Sequence, residues 1–283
     1  MKSSVGIIGC GWLGKALALE LIKNRHSVVV TTQSTEKKVQ LEQQGLTTEL
    51  LSLPIVKTKT NAKLAVFDQH CLIIAITPQF RQGRVNYPEK IEQLISLAEQ
   101  GSVKQIVMIS STAIYQGLMG EVDEKAELQL SIEKVSLLNR AEQAALIFKG
   151  TVSILRLAGL VGEDRHPGTF LQAGRQIPEP EIPVNLIHQR DVINLLLNVI
   201  TDDSFVGIYN GVSNTNATKE SYYRAAARAL NLPEPNFVNQ PSFDLNKKLI
   251  YNKKIGKKII GHKIRNKLAY EFHYDDLVAW ILT

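Results

Sequence analysis

Cysteine is almost missing from the 283 residues: Cys10 and Cys71 are the only two. They stand too far apart for a C-x-x-C pair, and two are too few for a disulfide framework or a zinc cage, so no metal is expected and a reducing cytoplasm is the expected compartment. Long apolar runs are missing as well. The longest, Cys71 to Ile76, falls far short of the ~18 residues that a membrane span needs, and glycines at 6, 9, 11 and 14 interrupt any signal-peptide core. Neither secretion nor a membrane partner is expected. No internal repeat or low-complexity linker appears, and the lack of zinc-finger spacing and of interleaved aromatics leaves nucleic acid unsupported as a partner. What remains, 44% apolar and 21% charged residues, is a globular composition in a chain long enough to bury a sizeable core.

Acidic residues are missing from one stretch in particular. Lys247, Lys248, Lys253, Lys254, Lys257, Lys258, Lys263, Arg265 and Lys267 follow one another with no acid between them, nine positive charges in a chain whose net charge is +6. Such a segment could meet the phosphates of a nucleotide-linked small molecule, or it could be a solvated surface near the C-terminus.

Apolar strand-like runs alternate with helical periodicity through the first half. Val5 to Ile8, Ser27 to Thr31, Thr48 to Leu53, Leu72 to Ile76, Gln105 to Ser110 and Thr151 to Leu157 read as strands. Helices are expected over Leu13 to Lys23, Glu36 to Gln44, from Pro88 to the stop at Gly101, and over Ile132 to Phe148. Such alternation predicts an α/β fold, a Rossmann-type doubly wound parallel sheet. Beyond Leu157 the pattern loosens. Residues 163 to 183 hold four of the ten prolines and read as loop, followed by a strand over Val184 to His188, a helix over Asp191 to Val199, a strand over Gly207 to Asn210, a helix over Lys219 to Leu230 and a last helix near Tyr274. The expected division is a dinucleotide-binding domain over 1–162 and a smaller mixed α/β portion over 163–283 for substrate, with 184–210 returning to the sheet.

Gly9-Cys10-Gly11-Trp12-Leu13-Gly14 joins the first strand to the first helix. In that setting the three glycines allow a tight turn, close approach of backbone to a pyrophosphate, and close helix packing, while the helix N-terminus offers N–H groups to the anion. NAD or NADP is the expected cofactor. An NAD site usually carries an acid at the end of the second strand, about 20 residues on. Here Thr31, Thr32, Gln33 and Ser34 stand there, with Lys37 and Lys38 nearby, and nothing in that set repels a 2′-phosphate, which leans the reading toward NADP. Thr77 and Pro78, after the fourth strand, and Ser110, after the fifth, complete the expected cofactor contacts.

Ser110-Ser111-Thr112-Ala113-Ile114-Tyr115 places hydroxyls at the carboxyl edge of the sheet. At this run the chain resembles the extended short-chain dehydrogenase/reductases, the family of NAD-dependent nucleotide-sugar epimerases and dehydratases. Their serine or threonine run ahead of Val-Tyr-Gly is similar to Ser110 to Tyr115, with Gln116 inserted before Gly117. The resemblance extends through Asn86-Tyr87, Leu155 to Gly162, Asn185 to Val192 and Tyr209-Asn210, nearly the whole chain. Arg165-His166-Pro167-Gly168, and the first glycine that the family's usual turn has and this one lacks, resemble a small atypical bacterial branch labelled epimerase-like. The resemblance implies a catalytic role for Ser111 and Tyr115 and substrate contacts at Thr112, Gly159, Arg165 and His166. It also implies a homodimer through the helices around Ile91 to Glu99 and Ile132 to Phe148, and marks His188 as structural, with Asp191 capping the next helix.

One departure stands against the resemblance. The family deprotonates a hydroxyl with a tyrosine made acidic by a lysine four residues later. None of the eight tyrosines here has lysine at that spacing, and Lys134 and Leu138 occupy the place of the pair. Tyr115, Lys134, Arg165 and His166 are the candidates to replace it. Two readings therefore stand: an oxidoreductase or epimerase on a hydroxylated substrate in which Ser111 holds the reacting oxygen, and a non-catalytic dinucleotide sensor on the same fold, in which Ser110 and Ser111 only cap a loop. A reductase of the 6-phosphogluconate dehydrogenase type shares the glycine turn, but its second half is all helical, against the strands expected here.

Overall fold

The computed structural model describes residues 3–55, 63–171, 176–238 and 256–283. Lys247, Lys248, Lys253 and Lys254 of the basic stretch lie outside the described residues. The chain forms two compact units, one of residues 1–116, 128–157 and 192–209, the other of 117–127, 158–191 and 210–283.

The first unit grows from repeated strand-helix pairs. β1 (Ser4–Ile8) is buried from Val5 onward, and α1 (Trp12–Lys23) follows the glycine turn with Leu13, Leu17, Ala18 and Leu21 as its inward stripe. β2 (Ser27–Thr32) leads to α2 (Thr35–Gln43), whose N-terminus is capped by Ser34 accepting from the Lys37 N–H, and then to β3 (Thr47–Leu50). β4 (Cys71–Ile74) is buried throughout. Pro88 sits in the first turn of α3 (Tyr87–Gln100), where its missing N–H breaks no helical bond. β5 (Gln105–Ser111) follows, then a short β6 (Gly120–Val122), α4 (Glu133–Leu146) and β7 (Thr151–Leu157).

Later elements are shorter: β8 (Gly159–Val161), β9 (Gln176–Pro178), β10 (Leu186–His188), α5 (Gln189–Val199), β11 (Gly207–Gly211), α6 (Lys219–Ala229), β12 (Asn236–Val238), β13 (Lys257–Ile259), α7 (His262–Leu268) and α8 (Leu277–Ile281). Seven strands form the large sheet in the order β3-β2-β1-β4-β5-β7-β11. Its pairings are parallel, with Val5 opposite both Val28 on β2 and Cys71 on β4. The strand order reverses between β1 and β4, which opens a crevice beyond their carboxyl ends, the place where doubly wound sheets bind ligands.

The second unit holds three two-stranded parallel pairs, β8 with β10, β9 with β12 and β6 with β13. Val161, Tyr222, Ala226, Leu277, Trp280 and Ile281 make its apolar core, and α6 opens with a reciprocal cap between Thr218 and Ser221. The described part of the basic stretch is partly neutralised here: Lys258 lies 3.9 Å from Glu121, and Arg265 grips Asp275 at 2.6 and 3.1 Å. The stretch read as loop, 163–183, contains a short 3-10 turn over Pro167–Leu171 and β9. Val184 and Asn185 lie outside β10, which joins β8 rather than the large sheet, so within 184–210 only β11 returns to it. The last helix starts at Leu277, capped by Asp276, with Tyr274 ahead of it. Three-residue strands are too short to carry a readable alternation. Among the described residues no helix is long and apolar enough to cross a membrane.

Candidate functional site

The three glycines of the turn meet three different demands. Gly9 has φ +99°, and a Cβ on it would lie 2.9 Å from the Ala75 carbonyl oxygen. A Cβ on Gly14 would lie 2.4 Å from the Gly9 carbonyl oxygen, so the helix packs on the turn there. Gly11 differs: its φ of −81° suits any residue, and a Cβ would meet nothing within 4 Å. Neither conformation nor packing calls for glycine at 11, and without a side chain there the helix N-terminus stays open. Thr31 clamps the turn from β2. Its Oγ1 accepts from the Gly9 N–H at 3.2 Å, and its carbonyl accepts from the Cys10 N–H at 3.0 Å.

A cleft of about 360 Å³ opens at this turn, at the strand-order reversal. Of the residues expected to hold cofactor, Gly9, Gly11, Thr31, Thr32, Gln33 and Thr77 line it. Trp12, Leu13 and Gly14 form the first turn of α1, with Leu13 and Gly14 facing the interior. Pro78 and Ser110 are not part of the lining. Ser34 and Lys37 also line the cleft beside Gln33, and among the described residues no carboxylate does. Leu51, Leu53 and Lys90 line it too and escape a sequence reading. The two leucines follow β3 in an irregular segment. Lys90, however, interrupts the apolar face of α3 that Tyr87, Ile91, Leu94 and Ala98 build, which is a legible signal. Cys10 is buried beside the turn; desolvation pushes its thiol up to about 11, with Lys37 and Lys15 pulling the other way.

The hydroxyl run at the end of β5 divides between interior and surface. Ser110 Oγ donates to Glu142 Oε1 at 2.5 Å, and Arg156 holds the same carboxylate through Nε at 3.1 Å and Nη2 at 2.6 Å. Arg156 Nη1 donates to the Tyr115 hydroxyl at 2.8 Å. Tyr115 and Glu142 are fully buried and Arg156 is 4% exposed, so Tyr115 is enclosed with its phenol turned to the guanidinium. Ser111 is half-buried, its Oγ accepting from the Ala113 N–H at 3.1 Å. Thr112 is buried beside it. Of the two candidate catalytic residues, only Ser111 keeps a partly exposed side chain.

The other expected residues belong to the second unit. Gly159 is exposed, and a Cβ on it would lie 2.7 Å from Leu186 Cδ2, the end of a flexible side chain. Arg165 is exposed, and His166 Nδ1 accepts from the Gly168 N–H at 3.1 Å. His188 is 2% exposed and tilted against Tyr274, with ring centroids 4.0 Å apart; its Nδ1 accepts from the Arg190 N–H. Burial pushes the pKa values of both histidines down. Asp191 does not cap α5 from outside. It lies in the helix's first turn, fully buried, and accepts from the His273 N–H at 2.7 Å, the Tyr274 N–H at 2.9 Å and the Tyr270 hydroxyl at 3.2 Å, because the segment ahead of α8 supplies donors that would otherwise be unpaired.

Sheet order, glycine turn and cleft together define a Rossmann protein of the NAD(P)-binding type. A family model described as NADP oxidoreductase coenzyme F420-dependent matches residues 4–113. Across nearly the whole chain the fold is that of nucleotide-sugar epimerases. UDP-glucuronic acid 4-epimerase from Bacillus cereus, in complex with NAD, superposes with a TM-score of 0.75 at 14% identity, over 99% of this chain and 96% of that one. MoeE5, in complex with UDP-glucose and NAD, superposes with a TM-score of 0.75 at 16% identity, over 99% and 96%. In sequence the chain is 32% identical over 276 residues to Protein YeeZ of Escherichia coli (strain K12), 96% of each chain. It belongs to the family of that protein.

Proposed function

We propose that this protein binds NAD(P), with NADP favoured, and acts as an oxidoreductase or epimerase on a hydroxylated, nucleotide-linked substrate. Gly11 carries the reading: a glycine whose backbone angles and neighbours would accept a side chain, at the mouth of a helix N-terminus, is explained by a ligand that needs the space. The fit extends around the cleft. First-turn amides of α1 suit a pyrophosphate, and Gln33, Ser34 and Lys37 suit a ribose 2′-phosphate where an NAD site would place an acid. When bound, the nicotinamide supplies a hydride acceptor or donor. This chain's part is to hold the ligand and to orient the reacting oxygen through Ser111.

A second reading, a non-catalytic NAD(P) sensor, is favoured by the enclosure of Tyr115 and by the lack of a tyrosine-lysine pair. Thermal shift separates the readings in part, because a ligand that binds only the folded state raises the melting temperature. NADPH is expected to stabilise more than NADH, a panel of sugar nucleotides should add to the shift if the protein is an enzyme of this class, and Gly11→Val should abolish the response while melting like the parent. A Gly11→Val variant that responds as the parent does would overturn the reading.

A further inference from the structure

Lys90 stands on the second turn of α3, 5% exposed, in the apolar face that packs this helix inward, and it also lines the dinucleotide cleft. Among the described residues its ammonium has neither a hydrogen bond nor an ion pair. Among the described residues no carboxylate lines the cleft to serve it, and the charge that acts on it is another cation, Arg84. The stem of Lys90 is buried in the apolar face while its ammonium opens on the cleft without a counter-charge among the described residues; methionine, common in cores, fills the same space without charge. Packing does not explain a lysine here.

The cleft explains it. The same cavity contains the open N-terminus of α1 at Gly11, a second site of positive potential. Two cationic features converge on a space that, among the described residues, is lined by no carboxylate. We infer that Lys90 is a receptor for a phosphate of the bound dinucleotide, acting with the α1 N-terminus to neutralise it. The inference rests on the reading that the cleft takes NAD(P). Burial, reinforced by Arg84, pushes the Lys90 ammonium below its usual range, as expected of a cation waiting for its counter-charge. The phosphate could be the pyrophosphate, common to NAD and NADP, or the 2′-phosphate, present only in NADP.

Titration calorimetry with the whole protein, using NADH, NADPH, ADP and adenosine 2′,5′-bisphosphate as probes, tests this on Lys90→Met. The variant should melt at or near the temperature of the ligand-free parent, since methionine keeps the buried stem and removes a charge that has no counter-charge among the described residues. It should also bind phosphate-bearing probes about tenfold or more weakly, the scale of one charge-assisted hydrogen bond. Loss with all four probes identifies the pyrophosphate region as the partner. Loss confined to NADPH and adenosine 2′,5′-bisphosphate identifies the 2′-phosphate. Lys90→Gln, which keeps a polar head without charge, should show the same losses and serves if the methionine variant does not fold. Parent-like affinity of a folded variant for every probe overturns the assignment while leaving the cleft's function standing. A parent that binds none of the probes overturns both.

Discussion

Ser110, Ser111 and Tyr115 form one motif in sequence and have three different environments. Ser110 spends its hydroxyl on Glu142, Tyr115 presents its phenol to Arg156, and Ser111 alone stays partly exposed, capping the turn after β5. If the protein turns over a hydroxylated substrate, the oxygen available to orient it from this run is Ser111 Oγ. Ser111→Ala should therefore lower turnover by up to about a hundredfold, the penalty of a misplaced reacting group, while NAD(P) affinity stays as in the parent. Steady-state kinetics beside calorimetry reads both quantities, and activity indifferent to the substitution would move the chemistry away from this loop. If no activated tyrosine serves as base, turnover of ordinary nucleotide sugars should be slow, as general acid-base catalysis supplies ~100- to 10,000-fold.

Between elements, β5, α4 and β7 are tied by a buried ionic network. Glu142 on α4 receives Ser110 from β5 and Arg156 from β7, and both partners of the ion pair are out of water. Among the described residues neither charge has another ion-pair partner, so removing one leaves the other stranded. Arg156→Met should cost roughly 3–5 kcal/mol, and the double variant Arg156→Met/Glu142→Leu should regain much of that loss, because a well-packed apolar pair escapes the desolvation penalty. Urea unfolding of the parent and both variants measures it. A single variant that costs under about 1 kcal/mol would mean that water or another group compensates Glu142.

For the molecule as a whole, the dependence of stability on pH follows from histidines in the second unit. Burial holds His188 below its ordinary value of 6.5, with Glu163 and Asp191 opposing and Arg190 and His273 reinforcing the shift. The unfolded ring then binds protons at a higher pH than the folded one, so stability rises with pH in that interval. Acidification should destabilise the protein from about pH 6.5 downward until the folded-state pKa is passed, after which this contribution stays constant. His166 acts in the same direction. Melting temperatures recorded between pH 7.5 and pH 5 should fall less steeply for His188→Phe than for the parent, whatever the offset between the two proteins at neutral pH. An equal slope would assign the acid sensitivity to other groups.

The doubly wound sheet was legible in the sequence because buried parallel strands are continuous apolar runs, and the glycine turn was legible because its strand-turn-helix setting constrains what glycine is for. Helix α3 was marked by Pro88 and its apolar spacing, and even the odd lysine at 90 stands out against that face. Other features depended on residues far apart in the chain. Tyr115 reads as a catalytic candidate until Arg156, 41 residues on, is seen to hold its hydroxyl. Asp191 reads as a helix cap until His273 and Tyr274 arrive from more than 80 residues away. The pairing of β8 with β10 and of β9 with β12 also escapes a local pattern, since three residues carry too little periodicity to declare a partner. Local periodicity and turn chemistry are written into neighbouring residues. Burial, hydrogen-bond partners and the surroundings of Lys90 exist only once distant segments have packed, and tertiary structure alone decides them.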